Sequence, residues 1–178
     1  MEELIKEAQK GNKEAFTLII LNLKNDLYKI AKTRITNEAD IQDAVQETMI
    51  EIYKSIKRLK DLKKFKMWTI KILINKCNRI YRKKYKKELS LDKYDLDKYL
   101  IINSNKDIED DLNFYNLIKC LEYEERIVIV LYYMEKYTIK EISKILKMKE
   151  NTVKSKLYRA RKKIEKNCLG GVKNESIR

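Results

Sequence analysis

Thr138-Ile139-Lys140-Glu141-Ile142-Ser143-Lys144-Ile145-Leu146, then Lys147-Met148-Lys149, then Glu150-Asn151-Thr152-Val153 and on through Ile164, is the stretch that decides the fold. Thr138 and Glu141 are spaced as a hydroxyl and a carboxylate that satisfy the free amides of a first helical turn. Ile142, Ile145 and Leu146 share one face of that helix, and Val153 and Leu157 share one face of the next. Two helices joined by so short a turn form a helix-turn-helix. In such a unit the second helix enters the major groove, so its outward residues should be polar and basic. Asn151, Thr152, Lys154, Ser155, Tyr158 and Arg159 alternate around Val153 and Leu157, and Arg161, Lys162 and Lys163 follow. Asn and Arg can pair bidentately with adenine and guanine edges, while Lys and Ser suit phosphates. From Glu150 to Lys166 there are seven basic residues and two acidic ones. An ordinary solvated face would explain that charge, but not its combination with the cap and the apolar spacing. Lys147 stands where such turns often carry glycine, and a side chain there at positive φ costs on the order of 1 kcal/mol.

Outward from this motif, the rest of the chain also carries helical periodicity. Leu4, Ile5 and Ala8 form a first apolar stripe, ended near Gly11-Asn12, where a left-handed cap is easiest. A second runs from Ala15 and Phe16 to about Ile35, and Thr36-Asn37-Glu38 reads as a stop and restart. A third runs from Ile41 to Ile56, and Phe65, Trp68 and Ile72 begin a fourth that reaches Tyr81. The 178 residues contain no proline and three glycines, which leaves few positions for tight hairpins and favours helix throughout. The expected fold is all-α, with two helical domains joined by a flexible acidic linker.

The boundary is read from charge. Lys54 to Lys87 holds fifteen basic residues against the single Asp61, whereas Glu88 to Asn113 holds eight acidic residues against three lysines. The acidic stretch loses the helical period, which resumes near Leu112. Residues 1–88 are therefore expected to form an N-terminal domain, 89–110 a linker, and 111–178 a C-terminal domain.

A formal net charge of +14 suits a polyanionic partner, nucleic acid before an acidic membrane surface. Cys77, Cys120 and Cys168 match no metal or disulfide spacing, which points to a reducing cytoplasm. The absence of histidine removes the usual general base and the commonest zinc ligand, so neither a metal, a cofactor nor a catalytic group is expected. With no long apolar run behind a basic start, no signal peptide is expected, and the longest apolar stretch, about Ile127 to Met134, is far short of a membrane span.

Two blocks carry a family resemblance. Glu141-Ile142-Ser143 with Asn151-Thr152-Val153-Lys154-Ser155-Lys156-Leu157-Tyr158-Arg159-Ala160-Arg161 resembles the promoter-reading helix-turn-helix of sigma-70-type factors, above all their extracytoplasmic-function (ECF) group. Leu121 and Glu124-Glu125-Arg126-Ile127-Val128-Ile129 resemble the helix before it, with Glu122 in place of the usual proline. Independently, Gly11-Asn12-Lys13-Glu14-Ala15-Phe16 and Ala39 to Met49 resemble the opening turn and the polymerase-binding helix of the same family. Phe65-Lys66-Met67-Trp68 and Ile72-Leu73-Ile74-Asn75 resemble its segment for the −10 element.

The resemblance implies a sigma factor that binds core RNA polymerase and directs promoter recognition, −10 melting and initiation, in an extracytoplasmic or stress response. It implies docking on the β′ clamp helices through Asp43, Gln46, Glu47, Met49 and Tyr53, and a second contact with the β flap. Lys63, Lys64, Phe65, Lys66, Asn75 and Arg79 are the candidates for the −10 strand, with a base pocket between the Leu59–Phe65 loop and Asn75. Lysines interleaved with Phe65, Trp68, Tyr81 and Tyr85 suit stacked single-stranded bases, although Trp68 reads better as core. Asn151, Thr152, Lys154, Ser155, Tyr158, Arg159 and Arg161 are the candidates for the −35 duplex. Many members are held inactive by an anti-sigma factor, which makes such a protein a candidate partner. The main rival is a dimeric helix-turn-helix regulator on a palindromic site, which leaves the N-terminal block unexplained. A nuclease lacks a carboxylate cluster in a basic cleft, and a membrane-surface protein would need an aromatic-rich amphipathic face.

Overall fold

The structure, a computed structural model, describes residues 1–88 and 109–174. The described residues are helical, without a strand, and fall into two compact units on either side of the undescribed segment. Most of the expected acidic linker lies outside the described residues.

The N-terminal unit holds α1 (Glu2–Lys10), α2 (Lys13–Lys32), α3 (Glu38–Ser55) and α4 (Phe65–Glu88). Gly11 ends α1 at φ 100°, beyond the left-handed well that side chains tolerate, and Asn12 caps α2 by accepting from the Ala15 N–H at 3.0 Å. Asn37 starts α3 in the same way, accepting from the Asp40 N–H at 3.1 Å, so the expected stop and restart is a cap. The second helix ends at Lys32, short of Ile35, where Thr33 turns its hydroxyl back to the Ile30 carbonyl at 2.7 Å. The fourth passes Tyr81 and reaches Glu88, because its Lys- and Arg-rich end suits helix.

α3 packs on both α2 and α4, while α1 packs on α2. Ile19, Leu27, Ile30, Ile41, Ile52 and Leu73 are among the fully buried side chains of this core. Each contributes roughly 1.5–3 kcal/mol by leaving water. Gln9 donates from Nε2 to the carbonyls of Ile56 and Leu59, both at 2.8 Å, and so pins the start of the α3–α4 loop against α1.

The C-terminal unit holds α5 (Glu109–Ile118), α6 (Tyr123–Ile129), α7 (Ile139–Leu146) and α8 (Glu150–Asn174). α5 begins at Glu109, just ahead of the expected Leu112. Between α6 and α7 the helix widens over Val130–Met134, with the Glu135 N–H reaching back to the Val130 carbonyl at 3.1 Å. α6 and α7 both pack on α8 around Ile127, Val128, Ile142, Ile145, Val153 and Leu157. Among the described residues no helix is long and apolar enough to cross a membrane.

Candidate nucleic-acid interface

The helix-turn-helix is held by its own side chains. Thr138 caps α7, its hydroxyl accepting from the Glu141 N–H at 3.3 Å, while Glu141 accepts from the Thr138 N–H at 2.9 Å and the Thr138 hydroxyl at 2.7 Å. These bonds hold the Glu141 carboxyl below its ordinary range. At the other end Lys147 takes the left-handed conformation, at φ 55°. Ser143 closes that turn twice, its carbonyl accepting from the Met148 N–H at 3.0 Å and its hydroxyl donating to the Met148 carbonyl at 2.6 Å. The sequence reading carries the second helix through Ile164, whereas α8 runs on to Asn174.

Val153, Leu157 and Ala160 bury one side of α8. Asn151, Thr152, Lys154, Ser155, Tyr158, Arg159 and Arg161 are all exposed on the rest of it. Two edges beside the buried stripe are tied down. On one, Lys156 pairs with Glu124 at 2.5 Å, and Lys163 reaches Glu122 at 3.0 Å and the buried Glu125 at 2.8 Å. On the other, Arg161 donates from Nε to the Tyr133 hydroxyl at 2.7 Å and lies 5.5 Å from the ring centres of Tyr132 and Tyr133. The widened turn supplies both of these rings. These ties fix the rotation of α8 about its axis, leaving Asn151, Lys154, Ser155, Tyr158, Arg159 and Lys162 pointing outward. The ammonium of Lys162 sits 5.4 Å from the Tyr158 ring centre, and Ser155 donates to the Asn151 carbonyl at 2.9 Å. Arg161 is thus engaged within its own unit, tying α8 to the widened turn while it stays exposed.

In the N-terminal unit, Asp43, Gln46 and Tyr53 are exposed along one side of α3, and Glu47 and Met49 are half-buried. Ile50 belongs with them: it lies one turn from both Gln46 and Tyr53 and is 46% exposed. The sequence reading did not single it out, and only its phase, one step off the Ala44–Thr48–Ile52 stripe, could have marked it as a surface position. Tyr53 leans edge-on against Phe16, ring centres 5.0 Å apart, with 57% of its surface open.

Among the residues assigned to the −10 strand, Phe65 needs correcting. It is 3% exposed and packs against the half-buried Trp68, ring centres 5.9 Å apart, because it opens α4 against the core. A ring held there has no face for a base, and Trp68 is the more open of the pair. Lys63 and Asn75 are exposed, whereas Lys64 pairs with Asp61 at 2.5 Å and Lys66 with Asp26 at 3.1 Å. Arg79 grips Glu47 of α3 through two hydrogen bonds, one of them at 2.6 Å, and Lys76 lies 3.6 Å from the same carboxylate. A cleft of about 380 Å³ opens beside Asn75, lined by Asn78, Arg79, Arg82 and Lys83. The Leu59–Phe65 loop does not line it, so the cleft lies further along α4 than the expected pocket. Asn78, Arg82 and Lys83 are the cleft residues that sequence reasoning missed; their one-turn spacing from Asn75 and Arg79 was the available signal. Tyr85 lies outside the described side chains.

Residues 19–87 match the model of sigma-70 region 2, and residues 111–164 match that of sigma-70 region 4. RNA polymerase sigma factor SigV of Bacillus subtilis is 28% identical over 154 residues, covering 86% of this chain and 91% of its own. The ECF RNA polymerase sigma factor SigW of the same organism is 29% identical over 178 residues, covering 93% and 95%. Among solved structures, CnrH in complex with the cytosolic domain of CnrY superposes with a TM-score of 0.67 at 22% identity, covering 95% of this chain and 97% of the other. The sigma factor RpoE in complex with the anti-sigma factor NepR, from Bartonella quintana, gives 0.65 at 21%, covering 85% and 94%. The chain belongs to the sigma-70 family of RNA polymerase sigma factors, in its extracytoplasmic-function group.

Proposed function

We propose that the two units divide a sigma factor's work, with domains at 1–88 and 111–178 joined by the acidic stretch 89–110. The N-terminal unit docks on the β′ clamp helices of core polymerase through Asp43, Gln46, Glu47, Ile50 and Tyr53 on α3. Its α4 holds the opened −10 strand with Asn75 and the cationic cleft beside it, and Lys63 guides the strand from the loop. The C-terminal unit lays α8 in the −35 major groove, with Asn151, Lys154 and Arg159 on base edges or phosphates, and it meets the β flap. The protein works by binding, without a chemical step, in the cytoplasm. An anti-sigma partner and an extracytoplasmic or stress signal fit its group.

The observation that carries this division is the rotation of α8. Both edges are engaged inside the unit, so the polar, basic face is the one presented to a groove. Run-off transcription from fragmented genomic DNA, with core polymerase from a related bacterium, tests it. Discrete transcripts that require the protein are expected. Their absence, together with failure to co-elute with core polymerase, would leave the dimeric regulator as the better account.

A further inference from the structure

Among the described residues, two other than glycine have positive φ: Lys136 at 58° and Lys147 at 55°. They flank α7, one ahead of its cap and one at its end. Both values fall in the left-handed well, where a side chain is strained and where glycine or asparagine is the ordinary occupant. Gly11, at φ 100°, is outside that well and has no such choice. Both lysines are exposed, and neither ammonium has an ion pair or hydrogen bond among the described residues. Strain at a residue whose charged group has no partner inside the molecule points to a use outside it.

α7 is about 12 Å long, close to the width of the major groove that α8 enters. In a helix-turn-helix the first helix crosses the DNA backbone, so its ends lie near phosphates. We propose that Lys136 and Lys147 are phosphate contacts that clamp α7 across the groove, independent of base sequence, at the expense of backbone strain. This rests on the promoter-reading assignment of the C-terminal unit.

The test uses the full chain and a mixed-sequence DNA duplex, with affinity followed against salt, alongside thermal melting. Lys136→Gly with Lys147→Gly should raise the Tm of the C-terminal unit by several degrees, since glycine relieves both strains. The same double variant should bind more weakly and lower the salt slope by about 2, the counterions of two phosphates. Between roughly 50 and 200 mM salt, the parent's affinity should therefore fall about tenfold further than the variant's. Arginine at both positions should keep the parent slope. Lys154→Ala with Arg159→Ala serves as the control. If the control weakens binding while the glycine variant keeps the full slope, these lysines are strain without contact and the inference is overturned. If neither pair changes binding, the promoter-reading assignment itself has failed, and the inference with it.

Discussion

The guanidinium of Arg79 on α4 holds the carboxylate of Glu47 on α3, with one hydrogen bond at 2.6 Å and a second alongside it. Glu47 is a candidate for docking polymerase and Arg79 for holding the −10 strand, so the two tasks meet in one ion pair. As an exposed pair it contributes little to stability, about 0.2–1 kcal/mol by double-mutant cycle. Its functional effect should be larger. Glu47→Gln should lower polymerase retention and also alter −10 opening, because Arg79 loses its anchor. Asp43→Ala with Gln46→Ala should lower retention alone. Permanganate footprinting of preformed holoenzyme separates the two; an unchanged footprint with Glu47→Gln would mean the pair is incidental.

The N-cap of α7 should be sensitive to both substitution and acid. Thr138→Ala removes the hydroxyl that accepts from the Glu141 N–H and should cost roughly 1 kcal/mol. The Glu141 carboxyl is held below its ordinary 4.5, first by the bond from the Thr138 hydroxyl and then by that from its backbone N–H. A depressed folded value means the contribution is full above about pH 4.5 and is lost as pH falls through the lower folded value. Melting followed from pH 7 to pH 3 should show a smaller acid loss for Glu141→Gln than for the parent; equal losses would contradict this.

Lys163 bridges the exposed Glu122 and the buried Glu125, and it is one of the ties that set the rotation of α8. Lys163→Met keeps the length of the side chain and removes the charge. It should destabilise the C-terminal unit by about 1–2 kcal/mol, since Glu125 is left with less than its full set of donors. A loss below the error of a urea titration would show that the helix is held by packing alone.

Cys77 is fully buried on the inner face of α4, and burial pushes its thiol up to about 12. At neutral pH it stays protonated and out of reach, so the folded protein should leave it unalkylated by iodoacetamide. Of these two described cysteines, the half-buried Cys120 should react before Cys77. Mass mapping of the labelled peptides gives the order, and early labelling of Cys77 would mean the N-terminal core opens readily.

Much of this architecture was legible in the sequence because it is written in local chemistry. The Thr138–Glu141 cap, the glycine stop at residue 11 and the Asn37 restart each depend on a few neighbouring residues, and each is found where it was read. What depends on tertiary direction was harder to read. Phe65 and Trp68 have the same aromatic character in sequence, and only packing against the core decides that Phe65 is the more enclosed. The contacts of Arg161 with Tyr132 and Tyr133 could not be read either, because the widened turn at Val130–Met134 is what brings those rings to it. Helical periodicity does not reveal a widened turn, because one extra residue in the ring shifts every later side chain.

The most direct measurement pairs core-polymerase co-elution with run-off transcription for two double variants. Lys154→Ala with Arg159→Ala should retain polymerase binding and lose promoter-dependent transcripts, while Asp43→Ala with Gln46→Ala should lose both, starting with polymerase binding. If both variants lost polymerase binding equally, or if neither changed either measurement, the two units would not divide the work as proposed.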